Sequence, residues 1–150
     1  MTDASAFGSA FRDWMDASMH RSMHALMLYA RRNGFSMSQL RALVHISKGT
    51  RGVQEIGDDL EISTAGASQM LERMVQQGLI TREEDPHDRR VRQIVLTDKG
   101  RQVVDDGLRA GRAWVDTLAA SLSPDEIDLV AAALAIMADR ASQLDQPSDP

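Results

Sequence analysis

The chain of 150 residues lacks cysteine altogether and has few prolines and aromatic residues. Without cysteine, disulfide bonds, sensing by thiol oxidation and thiolate zinc sites are excluded. Four prolines and 4% aromatics leave long stretches of alanine, leucine, methionine and arginine, which favour helices. Apolar runs such as residues 129–138 are far shorter than the roughly 20 residues that cross a bilayer. The first residues lack the pattern of a secretory signal, so we expect a cytoplasmic protein of one domain.

The net charge of −5 argues superficially against a nucleic-acid partner. Its distribution along the chain is uneven, however. Residues 116–150 carry seven acids and one base, whereas residues 86–101 carry five bases and two acids. Because salt confines the field of a surface charge to roughly 8–10 Å, a local basic patch matters more for phosphate attraction than the total does. The acidic balance is therefore compatible with binding to DNA.

Apolar residues spaced three and four apart predict a mostly helical chain. The predicted helices cover residues 6–32, 37–47, 54–60, 64–77, 98–121 and 124–144. Serine or threonine, the residues that cap helix N-termini, precedes four of them, at Ser36, Ser63, Thr97 and Ser123. No internal repeat is evident.

The last two predicted helices each carry an apolar seam with alternating spacings of four and three. The first seam consists of Val104, Leu108, Gly111, Val115, Leu118 and Leu122, and the second of Ile127, Val130, Leu134, Met137, Ala141 and Leu144. Seams of this kind are typical of coiled-coil packing. The two helices could pack only on each other. Because a small core cannot cover both seams and the long first helix, pairing of two subunits is the better interpretation.

Residues 53–74 have the pattern of two short helices joined by a three-residue turn. The residues placed to pack them together are Ile56, Leu60, Ile62, Ala67, Met70, Leu71 and Met74. The cap and the outward residues of the second helix are small or can hydrogen-bond: Ser63, Thr64, Ala65, Ser68, Gln69 and Arg73. Such side chains suit a helix in the major groove of DNA, where Gln69 could bond an adenine edge and Ala65 a thymine methyl. An ordinary polar surface helix is the alternative.

The next segment predicts a hairpin with a positively charged tip. Residues 78–84 and 91–96 favour strands, and they flank Asp85-Pro86-His87-Asp88-Arg89-Arg90. A β-hairpin of this kind beside a helix-turn-helix is typical of DNA-binding domains. A solvated turn with incidental charges is the alternative interpretation.

These segments together resemble the MarR family of winged helix-turn-helix transcription regulators. The family's wing has an Asp, a variable residue and an Arg, then a strand that ends in Leu-Thr with a Gly three residues on. This chain has Asp88, Arg90, Leu96, Thr97 and Gly100 in that order. The resemblance is close over residues 36–101, including the helix-turn-helix at 54–74, and extends to the flanking helices by pattern only.

The resemblance implies a mainly α fold with a small β-hairpin wing. Residues 36–100 would form the DNA-binding domain, and residues 1–35 and 101–150 would form a helical dimerisation region. The homodimer would straddle a pseudo-palindrome, with recognition helices in successive major grooves about 34 Å apart. Arg89 or Arg90 would enter the flanking minor groove, where narrow A·T-rich tracts attract arginine, and Asp88 would hold the wing by pairing with an arginine.

Three positions depart from the family's pattern. Glu61 stands where the turn often has glycine, Gly57 stands where alanine is usual, and Gly66 lies inside the recognition helix. Each glycine lowers the stability of its helix by up to about 1 kcal/mol relative to alanine. We expect the fold to be retained, but the base preference of relatives does not transfer.

Members of the family often release DNA when a small aromatic or anionic compound binds between the dimerisation helices and the winged domain. Candidate residues for such a pocket are Trp14, Met23, His24, Met27, His45 and Trp114. Methionines at four-residue spacing, Met15, Met19, Met23 and Met27, usually indicate core packing, with an adaptable ligand pocket as the alternative. His20 and His24 could share a metal, but no cysteine or marked carboxylate completes a ligand set, so no metal or cofactor is expected.

The sequence therefore predicts a DNA-binding transcriptional regulator that acts as a homodimer, with a repressor favoured over an activator. The alternative from another class is a winged-helix module that binds protein, which would lack salt-dependent affinity for genomic DNA. An enzyme is disfavoured because we find no Gly-rich phosphate loop, metal triad or nucleophile motif in the sequence.

Overall fold

The computed structural model describes residues 4–49, 52–84 and 92–144. Within them, seven helices and two strands follow in the order α1 (Ala4–Arg32), α2 (Met37–Ser47), α3 (Val53–Leu60), α4 (Thr64–Gln76), β1 (Ile80–Glu84), β2 (Arg92–Leu96), α5 (Asp98–Arg112), α6 (Trp114–Ala119) and α7 (Pro124–Leu144). The mainly helical fold with a small hairpin is confirmed. The chain divides into two compact units, with the boundary after Arg112.

The helix predicted from the hairpin to about Ser121 is divided into two. α5 ends at Arg112 and α6 covers Trp114–Ala119, and Ala113 between them keeps right-handed helical angles of φ −59° and ψ −25°. Gly107 and Gly111 lie in the last two turns of α5, and glycine is the weakest helix former after proline. The low helix propensity of this stretch is the physical reason for the difference.

The predicted caps are formed as hydrogen-bonded pairs. Ser36 Oγ accepts from the backbone N–H of Gln39 at 3.1 Å, and Gln39 Oε1 accepts from the backbone N–H of Ser36 at 2.9 Å. Ser63 Oγ accepts from the backbone N–H of Gly66 at 3.1 Å. These bonds satisfy donors that a helix leaves unpaired at its first turn, and they fix where α2 and α4 begin.

At the start of α7, hydrogen bonds with the capping residue change the pKa of Glu126. The backbone N–H and the hydroxyl of Ser123 both donate to Glu126 Oε2, at 2.8 and 2.9 Å. These hydrogen bonds, the backbone one first, lower the pKa of Glu126 because they favour its charged form. The predicted start signal at Ser123 is therefore confirmed.

The core of the first unit lies between α2, α3, α4, the base of the hairpin and α5. Its largest fully buried side chains are Leu43, Ile56, Leu71, Met74, Leu79, Ile80 and Ile94. The two strands pair antiparallel from Ile80 opposite Leu96 to Glu84 opposite Arg92. Because the buried residues lie at the base of the hairpin, the hairpin is fixed to the helices there.

Helix α1 packs along α5 through one face only. Tyr29 donates its hydroxyl hydrogen to the carbonyl oxygen of Val103 at 3.3 Å. Burial, with a smaller contribution from Asp106, raises the pKa of Tyr29. The methionine stripe lies on another face of α1 and is not in the core of the single chain: the Met19 side chain is 62% exposed. The expectation of core packing is therefore not met within one chain, because Leu26, Tyr29 and Ala30 make the contact with the core.

The turn between α3 and α4 contains a left-handed residue. Glu61 has φ 56° and ψ 40°, a conformation in which a side chain costs about 1–2 kcal/mol and glycine costs far less. We expect Glu61→Gly to raise the free energy of unfolding by about 0.5–1 kcal/mol, measured by urea denaturation. The matched control is Asp58→Gly in the helical part of α3, which should lower stability by about 0.3 kcal/mol, because aspartate is itself a weak helix former. A destabilised Glu61→Gly protein would contradict the argument from backbone strain.

None of the described helices is both long and apolar enough to cross a membrane.

Candidate nucleic-acid interface

The two helices of the helix-turn-helix approach each other closely because Gly57 has no side chain. A Cβ at this position would lie 3.2 Å from the carbonyl oxygen of Ile62 and 3.5 Å from Ala67 Cβ. The first distance is shorter than most such contacts, so alanine would require the turn to shift. The departure at Gly57 thus has a packing reason, and the ends of α3 and α4 are held together.

Helix α4 separates buried from exposed residues as the sequence predicted. Its inner face consists of the buried side chains of Ala67, Met70, Leu71 and Met74. Of the predicted DNA-contacting residues, those with exposed side chains are Ser63, Thr64, Ala65, Gln69 and Arg73, and Ser68 is half-buried. These residues therefore lie on one helix and away from the core, as a recognition helix requires.

The polar groups of α4 suit contact with an anion at its N-terminal end. The first turn of a helix carries partial positive charge on unpaired N–H groups. Ser63 uses an oxygen lone pair for its cap, so its hydroxyl hydrogen is not needed there. Arg73 Nε donates to the carbonyl oxygen of Gln69 at 3.3 Å, which ties the arginine to the predicted base-contacting residue.

Side chains of β1 and of the start of α5 are fastened to the C-terminal end of α4. Arg82 Nη2 of β1 lies 3.1 Å from Glu72 Oε2 of α4, and Lys99 Nζ of α5 donates to the carbonyl oxygen of Gln77, the residue after α4, at 2.8 Å. Thr97 Oγ1 lies 2.7 Å from the carbonyl oxygen of Gly78. The pair of Glu72 and Arg82 was not predictable from the sequence, because ten residues separate them and no local pattern indicates the contact. Asp88, Arg89 and Arg90 lie outside the described residues.

A small apolar cavity lies between α1, α2 and α5, with a volume of about 140 Å³. It is lined by Leu26, Met37, Leu40, Arg41, Val44, His45, Val103, Val104, Gly107 and Leu108. Of the six predicted pocket residues, His45 lines this cavity. Trp14, Met23, His24 and Met27 lie on α1 but do not line it, and Trp114 belongs to α6 in the second unit. The other lining residues are ordinary apolar side chains, which no sequence motif distinguishes from core.

A larger and more open cleft of about 440 Å³ lies between the end of α2, β2 and α5. Among its described lining residues the cationic side chain is Arg101, which is already engaged by the carbonyl oxygen of Leu96 at 2.8 Å and by Asp98 at 2.6 Å. The cleft is about three times as large as the smaller cavity and more open, so it encloses a single small ring less completely. Within the described residues, no group of three histidines or acids is placed to hold a metal ion.

A helix-turn-helix followed by a hairpin whose base is fastened to the second helix defines the winged helix-turn-helix class of DNA-binding domains. A model of the MarR family matches residues 33–91. The Bacillus subtilis transcriptional repressor MdtR is 30% identical over 116 residues, which cover 77% of this chain and 74% of MdtR. The chain belongs to the MarR family, and it is a DNA-binding transcriptional regulator.

Solved structures with similar folds agree with this classification. The transcriptional regulator Tm0710 from Thermotoga maritima superposes with a TM-score of 0.78 at 19% identity, covering 93% of this chain and 96% of Tm0710. A mutant of S. aureus MepR bound to an oligodeoxyribonucleotide has a TM-score of 0.67 at 20% identity, covering 90% of this chain and 97% of MepR. At these identities the likeness concerns the fold alone.

Proposed function

We propose that the chain is a cytoplasmic, homodimeric repressor that binds a pseudo-palindromic operator and releases it when a small effector binds. The observation that carries the proposal is the exposed polar face of α4 beside a hairpin whose base is fixed to the same helix. The relative MdtR is named a repressor, and the MepR mutant binds an oligodeoxyribonucleotide. Residues 36–100 would read DNA, and residues 1–35 and 101–150 would join the two subunits.

The proposed DNA contacts divide into positioning and reading contacts. Ser63, Thr64 and Arg73 are placed at exposed positions from which hydroxyls and a guanidinium can reach phosphates. Gln69 and Ala65 are the proposed base contacts, and Ser68 could reach either kind of group. Arg89 and Arg90 would enter the minor groove, with Asp88 bracing the wing, as the resemblance to the family implies.

The proposal is tested by selecting fragments of the host's genomic DNA on the purified protein and then measuring affinity for a selected fragment as salt is raised. We expect selective, salt-dependent binding to a site with two similar half-sites, since a regulator of this class neutralises phosphates with cations. Absence of salt-dependent affinity for any fragment would favour the protein-binding module instead. The genes beside the selected site would suggest the effector.

The proposed dimer rests on the exposed apolar surface of α7. Every described side chain from residue 124 to 143 is exposed or half-buried, although the helix is rich in large apolar residues. Exposed members that belong to the predicted seam include Ile127, Val130 and Leu134. A contiguous apolar surface of this kind marks an association site, and a second copy of the chain is the partner that the family suggests.

We expect Leu134→Asp to convert the dimer to monomers, because a charge in an apolar seam loses hydration without gaining a partner. The dimer dissociation constant should rise by about 100-fold, measured by analytical ultracentrifugation. Leu129→Asp places the same charge on the same helix outside the predicted seam and should leave the dimer intact. Equal weakening by both substitutions would show that the predicted seam is not the contact.

The cavity between α1, α2 and α5 is the proposed effector site. Its volume of about 140 Å³ is close to that of an engineered cavity of about 150 Å³ that binds benzene, so it fits one aromatic ring. Arg41 and His45 are its polar residues, which suits a small aromatic compound with an anionic group. This size and composition define the class of effector that we propose.

A further inference from the structure

The two polar residues of the cavity are also the residues that hold Asp59. His45 Nδ1 lies 3.0 Å from Asp59 Oδ2, and Arg41 Nη2 donates to the carbonyl oxygen of Asp59 at 3.2 Å. Arg41 and His45 occupy successive turns of α2, whereas Asp59 belongs to α3, the first helix of the helix-turn-helix. One acidic residue of the DNA-binding motif is therefore attached to the cavity.

Asp59 depends on this attachment more than an ordinary surface acid would. Its Oδ2 atom is shielded from solvent, and no hydrogen bond of good geometry reaches it within the described part of the chain. The Asp59 side chain as a whole is 34% exposed, but the shielded oxygen has lost its own hydration and is stabilised by a hydrogen-bonding partner nearby. The imidazole of His45, 30% exposed, is placed to be that partner.

A displacement of Asp59 would also displace the recognition helix α4. Asp59 lies two residues before Glu61, the left-handed residue of the turn. At Gly57 the end of α3 packs against the turn and the start of α4, where an added Cβ would lie only 3.2 Å from the carbonyl oxygen of Ile62 and in ordinary contact with Ala67. Because the contact is tight, a shift of the α3 end displaces α4 as well.

We propose that Asp59 is a positioning residue that couples the cavity to the recognition helix, and that an anion in the cavity competes with it for His45 and Arg41. The inference rests on the proposed effector response. With the anion bound, the His45 imidazole, which contacts the Asp59 carboxylate, and the Arg41 guanidinium, which bonds the Asp59 backbone carbonyl, are shared with a second negative group, and the end of α3 is held less firmly. By thermodynamic reciprocity, DNA then weakens binding of the anion by the same factor.

The test uses Asp59→Asn, with Asp58→Asn as the matched control. Asp58 is the neighbouring acid on the same helix, and its side chain is exposed. We expect Asp59→Asn to weaken binding of a selected DNA fragment by about tenfold. The same variant should bind benzoate, the probe anion, about fivefold more tightly in calorimetry, because the competing charge is gone. A role in folding alone would weaken both or neither, so the opposite signs are diagnostic.

A second variant and a neutral probe complete the experiment. His45→Ala should lose benzoate affinity and DNA affinity together, and the double variant His45→Ala/Asp59→Asn should bind DNA no more weakly than either single variant. Benzyl alcohol, the neutral probe, should bind wild type and Asp59→Asn equally.

Equal benzoate affinity in wild type, Asp58→Asn and Asp59→Asn, or no benzoate binding at millimolar concentration, would overturn the proposal. Failure of the wild type to bind DNA would instead reject the proposed function, while the benzoate titrations would still decide the competition.

Discussion

Replacing Gly100 with alanine is expected to lower the free energy of unfolding by about 3 kcal/mol or more. A Cβ at this position would overlap the carbonyl oxygen of Leu79 and lie 3.0 Å from its carbonyl carbon. Neither neighbour can yield easily, since Leu79 is fully buried and its carbonyl accepts from the backbone N–H of Thr97 at 3.1 Å. The start of α5 and the base of the hairpin would have to separate.

Urea denaturation of Gly100→Ala measures this effect, and Gly111→Ala in the same helix is its control. A Cβ at Gly111 would lie 3.7 Å from the carbonyl oxygen of Ser22, an ordinary contact. Because alanine has the higher helix propensity, Gly111→Ala should be neutral or up to about 1 kcal/mol more stable than wild type. If the two variants unfold at the same urea concentration, the close contact between Gly100 and Leu79 is refuted.

Loss of a wing arginine is expected to weaken DNA binding at every sequence, whereas loss of Gln69 should weaken it only at the preferred site. For Arg90→Ala or Arg89→Ala we expect a loss of about 10- to 100-fold, with the slope of log affinity against log salt reduced by about 1. For Gln69→Ala we expect a loss of about tenfold or more on the selected fragment and little change on unrelated DNA, because a base contact carries sequence information.

The control for these variants is Arg12→Ala, which removes an exposed arginine of α1 outside the proposed interface. It should leave both the affinity and the salt slope as they are in the wild type. Fluorescence anisotropy on the selected and an unrelated fragment, each at several salt concentrations, separates the two kinds of contact. An unchanged salt slope in both wing variants would falsify the assignment of the wing.

Local patterns made the helical framework predictable. The caps at Ser36, Ser63 and Ser123 depend on residues within three positions, so a short stretch of sequence contains all the information. The spacing of apolar residues along α4 likewise predicted which face of the helix is buried and which is exposed. Glu61, at a position where the family often has glycine, has a left-handed backbone conformation that no local pattern predicted.

Contacts between distant residues were not predictable in the same way. The spacing of Met23 and Met27 shows that α1 has an apolar stripe, but not that Leu26 on another face lines the cavity. Arg41 and Asp59 are eighteen positions apart, and each alone has the pattern of a solvated charge. The need for glycine at position 57 arises from the carbonyl of Ile62, which only the folded turn brings near.

Two glycine contacts along α5 couple the angle of this helix to the position of the hairpin. Gly100 lies against the backbone of Leu79 at the base of the hairpin, and Gly107 lies against Tyr29 of α1, where a Cβ would be 3.4 Å from the ring. At 1.5 Å per residue the two contacts are about 10 Å apart along the axis. If α5 pivots at one of these contacts, a tilt of the helix by roughly 5° displaces the other contact by almost 1 Å. Because the contact at Gly100 has no room even for a Cβ, a change in the angle of α5 relative to α1 is expected to displace the base of the hairpin with it.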